Sequence, residues 1–365
     1  MAVAIREESF RIGSGRYIQG LNYADKCGRE VLRLGNAPLI IGGATALSVA
    51  GEKIKRSVGS VCGRYEFITH TSTCNDEDAK ALADYAKQNG YDVILGVGGG
   101  VIMDFAKLTA HYAELPIVNF PTSSATCAAY TPLSVRYTKD GRTVGTLHYE
   151  KEVDAVLVDT SIIAAEPTRL FLAGVFDSLA KFVEIKQRFN ERSREYPLGL
   201  DYAYEMAKRS FSQLEKLTEV CIKKMSQGNI DFEVESIIFS TIAVPGIISG
   251  VARGSNQTAL GHKFYEATRF LYPESASPYL HGEIVGVGLL MQNHYNGEEE
   301  NNLGLLRLMN ENGMPYRVSD LGIPKTDVSF ENYYNYIVGS SAVNENDPEE
   351  CARFRASLEY LWNII

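Results

Sequence analysis

Several signatures are missing from this chain, and each absence bears on a class of function. The six cysteines (Cys27, Cys62, Cys74, Cys127, Cys221 and Cys351) include no CxxC pair. No disulfide framework or cysteine metal site is therefore expected, and reduced thiols in a cytoplasmic protein are. Positive charge is in deficit, with 36 Lys and Arg against 45 Asp and Glu and a net charge of −9. That balance argues against a general nucleic-acid binder, which needs clustered cations, but leaves small anionic ligands open. The opening MAVAIREESFRIGSG carries charges where a signal peptide needs its apolar run. No segment reads as the ~18 apolar residues of a membrane span. A soluble protein without nucleic-acid or membrane partners is expected. Repeats and low-complexity tracts are also absent, and GEEENN near residues 297–302 reads as a solvated loop.

What is present is an ordinary globular composition, 45% hydrophobic and 22% charged, in 365 residues, long enough for two cores. Short apolar runs alternate with helical stretches in the first half. Strands are expected at 37–42 (APLIIG), 64–69 (RYEFIT), 92–97, 116–120 and 155–159 (AVLVD). Between them, ALSVAGEKIKRSV and DEDAKALADYAKQNG read as helices, the second with acids in its first turn and Gly90 beyond its end. This order predicts a parallel sheet with helices on both faces, a Rossmann-like α/β domain over residues 1–162. Beyond it, apolar residues recur at helical spacing through FLAGVFDSLAKFVEIKQRF, AYEMAKRSFSQLEKLTEVCIKKM and VESIIFSTIAVPGIISGVA. An all-helical domain over 163–365 is expected.

The triplet Gly98, Gly99 and Gly100 follows the third expected strand directly. Without Cβ atoms the backbone there would approach a pyrophosphate, with a helix N-terminus behind it. It is neither GxGxxG nor a Walker A loop, and close helix–strand packing explains the triplet equally well. The Ser/Thr/Ala-rich FPTSSATCAAYTPLSVRYTKDG that follows the fourth strand offers donors at the same sheet edge, then reads as a β-hairpin. Such a hairpin would cover a nicotinamide ring, or be a plain surface hairpin. In the helical half, Asp177, His262 and His281 sit in three apolar helices. One Asp and two His suit a divalent metal with an open position, although a lone His on an apolar helix is more often a satisfied core residue. No Ser-His-Asp pattern suggests a nucleophile.

Taken in order, GGGVIMDFAK, PTSSATCAAYTPLSVRY, GVFDSLAKFVE, GHKFYEA and HGEIVGVG resemble the iron-containing alcohol dehydrogenase superfamily, in its glycerol dehydrogenase-like branch. The likeness covers roughly residues 8–350. It implies an N-terminal α/β dinucleotide-binding domain, a C-terminal helical domain and a metal held by Asp177, His262 and His281. It also implies that Gly98, Gly99 and Gly100 hold the cofactor pyrophosphate, with Asp104 and Lys107 part of the same motif. Thr122, Ala125, Thr131, Leu133, Val135 and Tyr137 fall where the family's loop and hairpin line the cofactor. Many members carry a His four residues after the metal Asp; here it is Lys181, which implies a three-ligand site and zinc rather than iron.

Three departures bear on specificity. Gly43 stands where glycerol dehydrogenases have an Asp for the adenosine ribose, which removes repulsion against a 2′-phosphate and favours NADP over NAD. Cys127 replaces the Asp of the glycerol enzymes, as in the 2-hydroxycarboxylate dehydrogenases of the branch. Lys181 would anchor a substrate carboxylate, or else pair with Asp177 or Glu184; Arg269 is a weaker candidate for that anchor. The resulting expectation is a metal-dependent, NAD(P)-linked dehydrogenase of a small secondary alcohol, a 2-hydroxy acid and its 2-oxo acid. Glycerol dehydrogenase is the alternative, and a dehydroquinate synthase-like lyase a further one. The resemblance also implies a homo-oligomer.

Overall fold

The computed structural model describes residues 12–190, 198–252, 257–340 and 342–364. The chain divides into two compact units, one of Ile12–Phe171 with Val220–Ile247, the other of Leu172–Glu219 with the residues from Ile248 onward.

The first unit is built on a six-stranded parallel sheet. Its strands are β1 (Tyr17–Gly20), β2 (Pro38–Gly42), β3 (Glu66–Thr69), β4 (Val93–Gly98), β5 (Ile117–Pro121) and β8 (Ala155–Asp159), in the order β1-β8-β5-β4-β2-β3. Every residue of β2, β4, β5 and β8 is buried. Parallel strands covered on both faces are apolar throughout rather than alternating, which is why these runs were legible. Parallel neighbours need crossovers, supplied by α2 (Ala44–Gly59) and α3 (Asp76–Gln88), with α4 (Gly100–Ala113) joining β4 to β5; the short α1 (Gly28–Leu34) precedes β2. Asn75 caps α3 by accepting from the Asp78 amide, and Gly90 just beyond it takes φ +68°. The edge strand β1 was not expected: YIQG has no apolar run and stays only partly buried beside β8.

Strand order reverses between β2 and β4. The chain runs outward from β2 to β3, then returns to the other side of β2 and proceeds through β4, β5 and β8. At such a switch point the loops leave the carboxyl ends of two neighbouring strands in opposite directions and open a crevice. Gly43 follows one of those ends and Gly99 the other. The hairpin of β6 (Leu133–Tyr137) and β7 (Thr143–His148) is antiparallel, with an irregularity between Arg136 and Tyr137.

No strand occurs beyond Asp159 among the described residues. The helices are α5 (Thr160–Ile163), α6 (Thr168–Asn190), α7 (Gly199–Ser226), α8 (Phe232–Ile242), α9 (Val244–Val251), α10 (Leu260–Leu271), α11 (Pro273–Ala276), α12 (His281–Tyr295), α13 (Asn302–Glu311), α14 (Asp327–Val338) and α15 (Pro348–Trp362). The α/β-then-helical order matches expectation. Two local readings are corrected. Phe232–Val251, 20 residues, is long and apolar enough by length and composition to cross a membrane, against the expectation that no such run exists. It is interrupted at Ala243 between α8 and α9, and about half of it is buried within the protein. The acidic stretch after Gly297 is not merely solvated loop, because Asn302 is buried, accepts from Asn293 and donates to the Leu290 carbonyl.

Candidate active site

Three helices of the second unit bring the expected metal ligands together. The ligand atoms of Asp177 (α6), His262 (α10) and His281 (α12) all lie within 4.8 Å of one another. Asp177 Oδ1 is 3.5 Å from His262 Nε2 and 3.4 Å from His281 Nε2. That oxygen is buried yet accepts no hydrogen bond of good geometry. Two imidazole nitrogens and a carboxylate oxygen aimed at one point suit a divalent ion, which sits ~2.0–2.2 Å from each ligand. The residues therefore fit the metal that the motifs imply.

Glycines make this approach possible. A Cβ on Gly282 would stand 1.8 Å from the Ala173 carbonyl oxygen, and one on Gly288 would stand 2.7 Å from the Gly261 carbonyl oxygen. The start of α12 thus rests on the backbone of α6, and its middle on that of α10. His281 precedes Gly282, so the first contact places its ring beside Asp177.

Glu184, which sequence reasoning left out of the site, completes the set. It lies two turns after Asp177 on α6 and is fully buried. Its carboxylate accepts from the backbone amides of Ala259 at 2.9 Å and His262 at 2.7 Å, and meets His262 Nδ1 at 2.5 Å. Burial opposes its charge, but the His262 imidazole and these amides hold its carboxyl below the usual range. An ionised Glu184 accepts only, so Nδ1 donates and Nε2 is left free to ligate. A Glu in an apolar helix seven residues after a candidate ligand was the available signal.

Lys181, one turn after Asp177, is also buried. Burial pushes the Asp177 carboxyl up, yet the Lys181 ammonium and the two imidazoles outweigh it and hold the group well below the usual carboxylate range. Arg269 has a different job from the anchor considered for it. It donates to the carbonyls of Ala276 at 2.8 Å and Tyr279 at 2.7 Å, bracing the segment that leads into His281.

In the first unit the three glycines separate into different roles. A Cβ on Gly98 would stand 2.7 Å from Ile102 Cβ, and one on Gly100 would stand 3.0 Å from Thr126 Oγ1, whereas one on Gly99 would meet nothing within 4 Å. Gly99 also has φ −85°, which any residue adopts. Gly98 is thus demanded by helix–strand packing, and among the described residues nothing demands Gly99. Gly99 is the N-cap of α4 and offers no side-chain cap, leaving first-turn amides without one. Across the switch point, a Cβ on Gly43 would be in ordinary contact with Ile102.

Asp104, expected among the cofactor residues, faces the hairpin. It is buried, pairs with Lys107 at 3.0 Å and accepts from the Val135 amide at 3.1 Å. Lys107 donates to the carbonyls of Ala128 at 2.7 Å and Thr131 at 2.9 Å, and also to that of Leu133. A buried ammonium needs such partners. The pair fastens residues 128–135 to α4. Ser134, which donates to the Asp104 carbonyl at 2.8 Å, faces α4, so Leu133 and Val135 project from the opposite face of the strand. Tyr137 follows the irregularity, and its amide donates to the Cys74 carbonyl at 2.8 Å. Thr122 donates its amide to the Gly98 carbonyl at 3.0 Å, Ala125 donates its own to Ser123, and Cys127 opens a short 3-10 turn capped by Thr126.

Residues 14–160 match the family model described as iron-containing alcohol dehydrogenase. The chain is 30% identical over 282 residues to a glycerol dehydrogenase of Thermotoga maritima, covering 76% of this chain and 74% of that protein. The chain belongs to the iron-containing alcohol dehydrogenase family. It is an oxidoreductase acting on alcohols, in a family that is NAD(P)-linked and uses a metal. It is also 31% identical over 263 residues to hydroxycarboxylate dehydrogenase A of Escherichia coli, covering 71% of this chain and 70% of that one. Among solved structures, a probable glycerol dehydrogenase from Sinorhizobium meliloti shares the fold with a TM-score of 0.81 at 23% identity, over 98% of this chain and all of that one.

Proposed function

We propose that this enzyme transfers a hydride between a nicotinamide cofactor and a small 2-hydroxy acid or its 2-oxo acid. The cofactor would be held by the α/β segment, residues 1–162, and metal and substrate by the helical segment, 163–365. The observation that carries the substrate class is Lys181, an ammonium buried one turn from Asp177. An anionic substrate would gain from that charge, and a polyol would not need it. Cys127 in place of a carboxylate, and the likeness to a hydroxycarboxylate dehydrogenase, support the same reading.

Asp177, His262 and His281 would hold the metal, whose bound form supplies Lewis-acid polarisation of the alcohol or carbonyl oxygen. Glu184 would keep the His262 ring in its ligating tautomer and orientation. Gly98, Gly99 and Gly100 would let the cofactor phosphates approach the amides at the start of α4. Thr122, Ala125, Thr131, Leu133, Val135 and Tyr137 would line the rest of its site. Zinc is favoured over iron, since Lys181 stands where a fourth imidazole would. NADP is favoured over NAD, since Gly43 places no carboxylate at the switch point. Six cysteines without a disulfide agree with a cytoplasmic enzyme, and a homo-oligomer is the expected assembly.

A second reading, glycerol as substrate, is favoured by the glycerol dehydrogenases among the relatives. The deciding measurement is a panel of 2-oxo acids with NADPH and NADH against glycerol with both oxidised cofactors, before and after zinc or iron exchange. Turnover of glycerol with none of any 2-oxo acid would remove the first reading.

A further inference from the structure

The loop after β5 has almost nothing apolar with which to hold itself. Between Pro121 and Ala129, Ser124 is the one fully buried residue. A buried serine needs hydrogen-bond partners, and Ser124 finds both of its own in a single carboxylate. Its amide meets Glu166 Oε1 at 3.3 Å and Oε2 at 3.1 Å, and its hydroxyl donates to Oε1. Glu166 lies just beyond α5, at the far end of the β8 connection, and is partly buried. One end of the loop is tied to the glycine turn through the Thr122 amide and the Gly98 carbonyl. Near the other end, Thr126 Oγ1 lies against Gly100. The middle depends on Glu166.

We propose that Glu166 is a positioning residue for cofactor binding, setting the 122–126 loop against the glycine turn through its bonds to Ser124. This rests on the reading above that the loop and Gly98–Gly100 bind NAD(P). Glu166 is not among the candidate metal ligands. Its loss therefore weakens the cofactor without altering the metal site, since Asp177, His262 and His281 belong to the other unit. Removing the acceptor strands a buried amide and hydroxyl.

The test measures NADPH and NADH binding by fluorescence to the full-length enzyme and its Glu166→Ala, Glu166→Gln and Ser124→Ala variants. Glu166→Ala is expected to weaken the preferred cofactor about tenfold, with kcat at saturating cofactor changed by less than about twofold. Its zinc content is expected to stay at the wild-type level. Ser124→Ala removes only a hydroxyl and is the milder variant, and the double variant should be no worse than Glu166→Ala because both act through one pair. Glu166→Gln, which keeps one acceptor oxygen, should recover part of the loss. Amide exchange across 122–126 without cofactor should quicken in Glu166→Ala. Folded Glu166→Ala and Ser124→Ala enzymes with wild-type cofactor affinity would overturn the proposal and leave the dehydrogenase reading standing. A wild-type enzyme that binds neither cofactor would overturn both.

Discussion

Glu184 and His262 face each other so that one carboxylate receives the ring N–H of its partner at 2.5 Å and the backbone N–H of the same residue at 2.7 Å. Ring and backbone are thereby held by one group, and Nε2 is left pointing at Asp177. Outer carboxylates of this kind typically contribute 10–100-fold to metal affinity. Glu184→Gln is expected to weaken zinc by about tenfold or more in a chelator competition. Zinc affinity equal to wild type would show that His262 is oriented by its helix alone.

Gly282 presents a steric limit. Any side chain would drive a Cβ to within 1.8 Å of the Ala173 carbonyl oxygen, which is helix backbone and cannot swing aside. Gly282→Ala should separate α12 from α6 and draw His281 away from Asp177. Loss of stoichiometric metal is expected, along with destabilisation of roughly 1–3 kcal/mol or more, the usual range for overpacking. Metal analysis and chemical denaturation would measure both.

The glycine triplet predicts opposite outcomes at adjacent positions. Gly98→Ala collides with Ile102 and should lower the melting temperature. Gly99→Ala meets nothing within 4 Å among the described residues, so its stability should match wild type while its cofactor affinity falls. Equal cofactor affinity in Gly99→Ala and wild type would return the triplet to a packing role.

Glu166 also has a thermodynamic signature. Burial pushes its carboxyl up to about 7, while its serine bonds oppose the rise. Unfolded, the group titrates near 4.5. Across that interval the native chain keeps a proton that the unfolded chain has released, so this group's contribution to stability falls as pH rises from about 4.5 to 7 and is flat on either side. Glu166→Gln does not titrate. The difference in unfolding free energy between the two proteins should therefore change across that window, in favour of the variant as pH rises. A constant difference from pH 4 to 8 would contradict the assignment.

Much of this protein was determined locally. Four buried strands announced themselves as predominantly apolar runs, and α3 by its acids and terminal glycine, because burial on two faces and helix-end electrostatics act on neighbouring residues. Asp177, His262 and His281 stand out as candidate ligands from their motifs alone. What the tertiary structure decided depends on approaches between residues far apart in the chain. It gave Gly98 to packing and left Gly99 without a structural need for being glycine. It turned Asp104 and Lys107 toward the hairpin, and committed Arg269 to the backbone before His281. It also brought Glu184 behind His262 and Glu166 beneath Ser124. Periodicity and capping record which face of an element is buried, but not which backbone it is buried against. A carboxylate's role is set by the donors that reach it, and those arrive from elsewhere in the fold.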